Sequence, residues 1–229
     1  MKRHRWILLF AALAIPSLGS CARCARPVAP APGGGGPPVA SSSAQAVRRL
    51  QWAVAHGDLD AIAGLLAADF TFAGAGVDSA GHPARVGRDR EWVLVALRSM
   101  LQGVPGKYEP AKVEMTIDPN LIAFPDTRPG RNPGVRKQIR TSLDMRVDDP
   151  GMASRIRLTG NLLFFATRGD SASIPADQTT RGAAPDPSTW WIDGWEDETL
   201  AGPLPFATHP AAQWSLSALL EYYWLRAVR

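Results

Sequence analysis

The chain has 229 residues, of which 45% are hydrophobic and 20% are charged, and its formal net charge is +4. This length and hydrophobic content are sufficient for one domain with a substantial core. No stripe of basic residues with interleaved aromatic residues is visible in the sequence, so we expect no nucleic-acid partner.

The amino terminus has the pattern of a secretory signal. Lys2, Arg3 and Arg5 give it a basic start, and an apolar run over residues 6–15 follows. A membrane-spanning helix needs about 20 apolar residues, so this run is too short to cross a bilayer. We interpret residues 1–20 as a lipoprotein signal peptide.

The end of this segment, Leu18-Gly19-Ser20-Cys21, resembles the lipobox of bacterial lipoproteins. In that motif the cysteine sulfur receives a diacylglycerol carrying acyl chains such as palmitate, and the preceding peptide is cut. We predict lipidation of Cys21; the alternative is an ordinary signal peptide with a cysteine nearby. Residues 1–20 contain three basic and no acidic residues, so the mature chain has 22 basic against 21 acidic residues.

The residue after the cysteine bears on localisation. It is Ala22, and the absence of an aspartate there favours, by analogy with enteric sorting, the outer membrane. We therefore expect a protein of the bacterial cell envelope that is lipid-anchored in the outer membrane and faces the periplasm.

The two cysteines, Cys21 and Cys24, form a Cys-x-x-Cys pair. Such a pair can serve redox chemistry or half of a zinc site. No second pair follows, and the four histidines are scattered singly along the chain. We expect no metal site, no redox function and no cofactor.

Residues 21–43 are rich in proline, glycine and serine. Such a segment has few apolar side chains to bury, so burial cannot offset the entropy lost on ordering. We predict a disordered tether that holds a folded domain away from the membrane surface.

Helix signals follow the tether. A first helix is predicted over residues 43–56, with one of the serines at 41–43 as its amino-terminal cap. Gly57 suits the left-handed position after a helix, and Asp58 can cap a second one. Two adjacent caps explain the Gly57-Asp58-Leu59-Asp60 segment better than a catalytic role for Asp58 or Asp60.

Alternating apolar residues predict strands through the rest of the chain. The predicted strands cover residues 69–73, 112–117, 139–147, 156–164 and 190–198, with a third helix over about residues 89–102. Within the fourth of these strands, Gly160 is expected to mark a bulge. Residues 125–134 and 169–188 are predicted to be long exposed loops.

A final amphipathic helix is predicted over about residues 211–226. Its large apolar surface must be covered either by the sheet or by a second subunit, so a homodimer is one of the arrangements that we expect.

This α+β order resembles the ketosteroid-isomerase-like and SnoaL-like families, which share the nuclear-transport-factor-two cone. The matching motifs are Gly57-Asp58-Leu59-Asp60, Leu65-Leu66-Ala67-Ala68-Asp69, Val86-Gly87-Arg88 and Trp190-Trp191-Ile192-Asp193-Gly194-Trp195. The resemblance covers residues 44–200 and implies a cone-shaped, curved, mostly antiparallel sheet wrapped around three helices, with a pocket in its open end. Residues 201–229 would form a carboxy-terminal extension with the amphipathic helix.

The resemblance also indicates which chemistry is missing. Ketosteroid isomerases use an aspartate base and an oxyanion hole of a tyrosine and a protonated aspartate. The resemblance places the base at Gly74 and the tyrosine at Leu50, and neither side chain can perform that role. Asp69 should face away from Gly74, since five residues along a strand is an odd step. We therefore predict no catalytic residue and no isomerase activity of this type.

Other carboxylates remain available for an acid–base pair: Asp144, Asp193, Glu196 and Asp197. The alternative is that they lie on solvated strand faces.

Three functions are compatible with these patterns. We predict a membrane-tethered lipoprotein whose non-catalytic cone binds a small apolar ligand or a peptide, which requires a deep pocket lined by aromatic and leucine side chains. An alternative is a SnoaL-like enzyme with a relocated acid or base, which requires a pocket carboxylate with a raised pKa. A third is an assembly or scaffold lipoprotein, which a closed apolar cone without buried ionisable groups would favour.

Overall fold

The computed structural model describes residues 36–77, 83–152, 155–199 and 214–229. These residues form α1 (Ser43–His56), α2 (Leu59–Ala63), β1 (Leu66–Val77), β2 (Pro83–Asp89), α3 (Arg90–Gln102), β3 (Lys112–Ile117), β4 (Phe124–Pro125), β5 (Arg136–Asp148), β6 (Ile156–Gly169), α4 (Ala176–Thr180), β7 (Asp186–Thr199) and α5 (Leu216–Val228). The predicted signal peptide, Cys21, Cys24, tether residues 21–35 and the predicted helix start at 211–213 lie outside the described residues. None of the described helices is both long and apolar enough to cross a membrane.

The first two helices begin and end where their caps predict. The Ser42 hydroxyl accepts a hydrogen bond from the Gln45 amide at 3.2 Å, and Gly57 ends α1 with a φ of 64°. The Asp58 carboxylate accepts a hydrogen bond from the Ala61 amide at 2.9 Å and starts α2. Each cap satisfies backbone groups that a helix leaves free at its ends, so the predicted boundary between α1 and α2 is confirmed.

The strands form one open, curved, mixed sheet in the order β2-β1-β7-β6-β5-β3, and β4 pairs with the start of β5. Only the β1–β7 pair is parallel among the described strand pairs. The inner face of the sheet packs on α1, α2 and α3 in a single hydrophobic core. The predicted fold class, an α+β cone with a mostly antiparallel sheet around three helices, is confirmed.

The last helix belongs to the same core. Leu216, Leu219, Leu220 and Tyr223 of α5 are buried in the cluster that α1, α3 and the inner sheet face form. The described part of the predicted extension at 201–229 is therefore an integral element of the domain. The apolar face of α5 is covered within the chain, and it needs no second subunit to cover it.

The domain also begins earlier than predicted. Ala40 is buried, and its carbonyl accepts a hydrogen bond from the Trp190 amide at 2.8 Å. Ser42 caps α1, and Ser43 is buried as well. The predicted tether over residues 21–43 includes all three residues, although the predicted first helix already begins at Ser43. Ordered contacts with β7 and α1 place them in the domain instead.

The bulge expected at Gly160 lies elsewhere. Gly160 pairs with Leu143 of β5 and Thr199 of β7 without a shift in register. Its φ is 151°, and a Cβ added there would lie 2.7 Å from the Thr199 Cα, so this glycine permits a close approach of two backbones. The register shifts between β6 and β7 fall at Phe165/Ala166 and Arg168/Gly169. Asp193 is the unpaired extra residue at the first of these shifts.

Candidate functional site

A cavity of about 290 Å³ lies at the mouth of the cone, between β1, β2, α3 and α5. Apolar side chains form most of its wall and three polar side chains lie among them; the lining residues are Phe72, Gly74, Ala75, Val86, Arg88, Trp92, Ser217, Ala218 and Glu221. Phe72 and Trp92 are stacked with their ring centroids 6.3 Å apart. This cavity is the part of the described structure that corresponds to the pocket implied by the resemblance.

The last helix occupies the position to which the resemblance assigns the catalytic base. Gly74 packs against Ser217 of α5 so closely that an added Cβ would overlap the Ser217 hydroxyl and lie 2.9 Å from the Ser217 Cβ. The Ser217 amide and hydroxyl both donate hydrogen bonds to the Asp197 carboxylate, at 2.7 and 2.5 Å. An acidic side chain at residue 74 would therefore displace α5.

The second matched position is closed to the cavity. Leu50 is fully buried in the core and is not a lining residue. The structure therefore does not bring Gly74 and Leu50 together at one open pocket, and neither supplies a donor or an acceptor. Asp69 lies on the outer face of the sheet with Arg131 and Arg136, opposite the cavity.

The polar groups at the rim of the cavity are paired with each other. Arg88 and Glu221 form an ion pair at 3.0 Å, and both side chains are partly exposed. The Arg88 guanidinium lies 5.0 Å from the centroid of the Trp92 ring. Glu221 is the only carboxylate among the lining residues, and its partner Arg88 holds it at the rim. The arrangement gives an apolar cavity with one polar edge.

The four candidate acids do not line this cavity. Asp144 pairs with Arg157 at 2.8 Å and Glu196 pairs with Arg85 at 2.6 Å, both on the outer face of the sheet. The hydrogen bond from Arg157 lowers the pKa of Asp144. These two carboxylates lie on a solvated strand face.

Asp197 has a structural role at the start of α5. It is largely buried, and its carboxylate accepts hydrogen bonds from Ser217 and Thr199. Thr199 in turn accepts a hydrogen bond from the Leu216 amide at 2.9 Å. The first turn of α5 thus finds acceptors for its free amides at the end of β7.

Asp193 lies on the outer face of the sheet beneath residues 126–135. Its carboxylate forms an ion pair with Arg136, lies 3.9 Å from Arg128, and leaves Oδ1 buried without a hydrogen-bond partner in the described structure. Burial raises the pKa of Asp193, and the charges of Arg136 and Arg128 only partly oppose that effect. Its perturbed carboxylate is on the wrong side of the sheet to serve the cavity.

A polar cluster fixes the far end of α5, and sequence reasoning missed it. Tyr223 donates a hydrogen bond to Asp149 at 2.6 Å, and Arg226 forms a buried ion pair with the same carboxylate. The Arg226 guanidinium also lies 4.0 Å from the centroid of the Tyr108 ring. Burial, followed by the hydrogen bond to Asp149, raises the pKa of Tyr223. The only sequence signal was an arginine on the apolar face of the last helix.

A second cavity, of about 320 Å³, borders the turn between α1 and α2. Asp58 and Asp60 both line it. Asp58 caps α2, and Asp60 forms an ion pair with Arg181. Both carboxylates therefore have structural partners. Within the described ranges, no three or more histidine, cysteine, aspartate and glutamate side chains are grouped so as to hold a metal ion.

The open mixed sheet around α1–α3, with a cavity between β1, β2, α3 and α5, has the arrangement that the resemblance to the nuclear-transport-factor-two cone implies. The solved structures to which the chain is similar include the following three. A conserved protein from Planctomyces limnophilus is 13% identical, with 69% of this chain and 92% of that chain covered and a TM-score of 0.45. A proposed scytalone dehydratase from Novosphingobium aromaticivorans is 11% identical, with 74% and 88% covered and a TM-score of 0.44. A nuclear transport factor 2-like superfamily protein from Salmonella enterica is 13% identical, with 73% and 92% covered and a TM-score of 0.40.

No protein-family model matches the sequence, and no curated protein matches it significantly.

Proposed function

We propose that this protein is a membrane-tethered lipoprotein whose cone domain binds a small, mostly apolar ligand without catalysing its conversion. The observation that carries the proposal is the packing of Ser217 on Gly74. It fills the place of a catalytic base and leaves beside it a cavity whose only carboxylate, Glu221, is ion-paired. Abstraction of a proton next to a carbonyl needs an acceptor within hydrogen-bond reach, and this cavity offers none that is free.

The dimensions of the cavity favour a small molecule over a peptide. About 290 Å³ is near the lower end of the range of known ligand sites. Phe72, Trp92 and Val86 would contact the apolar body of the ligand, and burial of that surface would supply most of the binding free energy. A single polar group on the ligand would find Arg88 or Glu221 at the rim.

Ligand binding is tested by titrating the full chain with the neutral, apolar fluorophore N-phenyl-1-naphthylamine. Ala218→Trp places a bulky side chain at an exposed lining position, and it should weaken binding by at least ~10-fold, which is about 1.4 kcal/mol. Val228→Trp, on the same helix but away from the cavity, is the matched control and should bind like the wild type. Equal affinities of the wild type and Ala218→Trp would overturn the proposed ligand site.

The tether is tested by labelling cells with a fatty-acid analogue. The prediction of lipidation comes from the lipobox-like segment that ends at Cys21. The wild type should carry the label and Cys21→Ser should lose it, whereas Cys24→Ser, the matched control, should keep it. Equal labelling of the wild type and Cys21→Ser would overturn lipidation. Fractionation of the labelled membranes then tests the proposed location in the outer membrane.

An enzymatic function has less support from the site. The carboxylate with a raised pKa, Asp193, lies on the opposite face of the sheet from the cavity. Turnover of a ketosteroid substrate well above the buffer rate, lost in Glu221→Gln, would overturn the non-catalytic proposal.

A further inference from the structure

We propose that the domain rests on the bilayer through an apolar patch at the end of the sheet where the chain joins the domain. We call Val39, Ile122 and Phe124 the sheet-end patch. The proposal rests on the proposed lipidation of Cys21, and it adds an orientation: the sheet-end patch touches lipid, and the cavity under α5 faces away from the membrane.

Exposed apolar side chains are concentrated at this end. Val39, Ile122 and Phe124 are 75%, 62% and 54% exposed. The other large apolar residues exposed in the described structure, Tyr108 and Val228, lie near Arg226 at the far end of the sheet. Single exposed apolar residues are normal on a protein surface, but three at one end of a sheet call for a partner.

Strand pairing places Val39 and Phe124 at the same end, and Ile122 lies two residues before Phe124 in the chain. Ala40, next to Val39, is hydrogen-bonded to Trp190 in the first half of β7. Across the sheet, β7 pairs with the last residues of β6, these pair with the start of β5, and Phe124 pairs with Gln138 of β5. Four strand spacings of about 4.8 Å separate Ala40 from Phe124, or roughly 20 Å. The sheet-end patch is thus a row along one end of the domain.

The position of the proposed anchor at Cys21 favours the lipid bilayer as the partner of the sheet-end patch. Seventeen residues, 22–38, separate Cys21 from Val39. A fully flexible chain of that length would have a root-mean-square span of roughly 23 Å, and the five prolines among these residues would lengthen it. The anchor would therefore hold this end of the sheet within reach of the bilayer surface. Because the tether makes the contact intramolecular, a small apolar patch is sufficient to bind.

Three arginines near the sheet-end patch are paired with carboxylates, whereas Lys137, opposite Pro125 of β4, donates a hydrogen bond to the Pro133 carbonyl. Arg128 pairs with Asp126, Arg136 pairs with Asp193, and Arg131 lies 3.8 Å from Asp69. Because the carboxylates neutralise these three arginines, the contact should depend mainly on apolar insertion and change little with salt.

The test uses the acylated mature chain, residues 21–229, in a Cys24→Ser background, reconstituted into phosphatidylethanolamine–phosphatidylglycerol vesicles. A nitroxide is attached at Ile122→Cys, at Phe124→Cys or, as the matched control, at Val228→Cys. All three positions are exposed, so the label should not disturb the core. Collision rates with oxygen, which partitions into lipid, and with a water-soluble nickel chelate report the surroundings of each label.

We expect the ratio of the oxygen collision rate to the nickel collision rate to be at least ~5-fold higher for the labels at residues 122 and 124 than for the label at 228. This difference should hold at low and at high salt. Nickel access at 122 equal to that at 228 would overturn the orientation. Dipolar broadening between labels at 122 would assign the patch to a second copy of the chain and would also overturn it. Vesicle flotation separates the two proposals: a chain that does not float refutes the anchor and the orientation together, whereas a floating chain with a water-exposed residue 122 refutes the orientation alone.

Discussion

Ser217 of α5 packs directly on Gly74 of β1, so the last helix of the domain covers the one strand position at which the resemblance requires a base. Gly74 is not one of the described glycines with a positive φ. A glycine is needed at this position because a side chain has no room there, and not because the backbone conformation is unusual. The contact places a packed helix at the position to which the resemblance assigns a catalytic base.

The first prediction concerns this contact. Gly74→Ala should lower the free energy of unfolding by about 1–3 kcal/mol, because the new Cβ overlaps a hydroxyl that Asp197 holds in place. Urea unfolding measures the change. Gly87→Ala on the neighbouring strand is the matched control, since an added Cβ there has no atom within 4 Å, and it should be close to neutral. The idea fails if Gly74→Ala is as stable as Gly87→Ala.

A double-mutant cycle tests the same contact from the other side. Ser217→Gly removes the overlapping atoms, so Gly74→Ala should cost less in that background than in the wild type. Strictly additive effects of the two substitutions on the free energy of unfolding would mean that the strain at residue 74 has another source.

The second prediction concerns the polar cluster at the far end of α5. Asp149→Ala leaves the buried guanidinium of Arg226 without its carboxylate and should lower the free energy of unfolding by about 3–5 kcal/mol. Asp144→Ala removes an exposed partner of Arg157 and should cost less than about 1 kcal/mol. Chemical unfolding of both variants measures the difference. Similar costs would show that the buried cluster contributes no more than a surface pair.

The third prediction concerns Asp193 and Asp126, whose contributions to the free energy of unfolding should change with pH in opposite directions. Burial raises the pKa of Asp193, so the folded state holds its proton longer than the unfolded state and stability falls as pH rises from about 4 through the raised pKa. Asp193→Asn should remove this fall, so that its stability relative to the wild type increases with pH above about 4.

Asp126 should behave in the opposite way. Burial acts to raise its pKa, but hydrogen bonds from Arg128 outweigh burial, and the net pKa is lowered. Its contribution to stability is complete above the unfolded value near 4 and is lost as pH falls through the lowered pKa. Asp126→Asn should therefore flatten the acid limb below about pH 4. Unfolding curves at a series of pH values measure both effects, and parallel pH profiles for the two variants would contradict the assignment.

The fourth prediction concerns where the folded domain begins. A chain that starts at Gly36 retains the Ala40–Trp190 hydrogen bond and the Ser42 cap, whereas a chain that starts at Ser43 loses both. The shorter chain should be less stable by about 1–3 kcal/mol. Thermal unfolding of the two chains measures the difference. Equal melting temperatures would show that residues 36–42 belong to the tether and not to the folded domain.

Local signals explain the parts of the fold that the sequence predicts well. The bounds of α1 are those predicted, and α3 begins one residue after its predicted start because Asp89 acts as its cap. Caps and helical periodicity act within one turn of chain, so neighbouring residues are enough to read them. The alternation in β3 and β5 is equally local and was equally informative.

Contacts between distant segments explain what the sequence does not predict. Alternation cannot show that residues 126–135 cover the outer face at Asp193 or that Asp193 is an extra residue in β7. Asp149 meets Tyr223 and Arg226 across 74 and 77 residues of chain. The two-residue strand β4 is too short to show any periodicity. The cavity also depends on a contact between distant segments, because α5 packs on β1 and forms one of its walls.

The contribution of α5 to the core has a consequence for the order in which the domain assembles. Leu219, Leu220 and Tyr223 follow every other element along the chain, yet the core is incomplete without them. A polypeptide emerging amino end first therefore cannot finish this domain until its final helix is present. The parallel pairing of β1 with β7 imposes the same delay, because it joins strands far apart in the chain. If the chain is exported as proposed, late completion would keep the polypeptide unfolded during translocation and would confine folding to its destination.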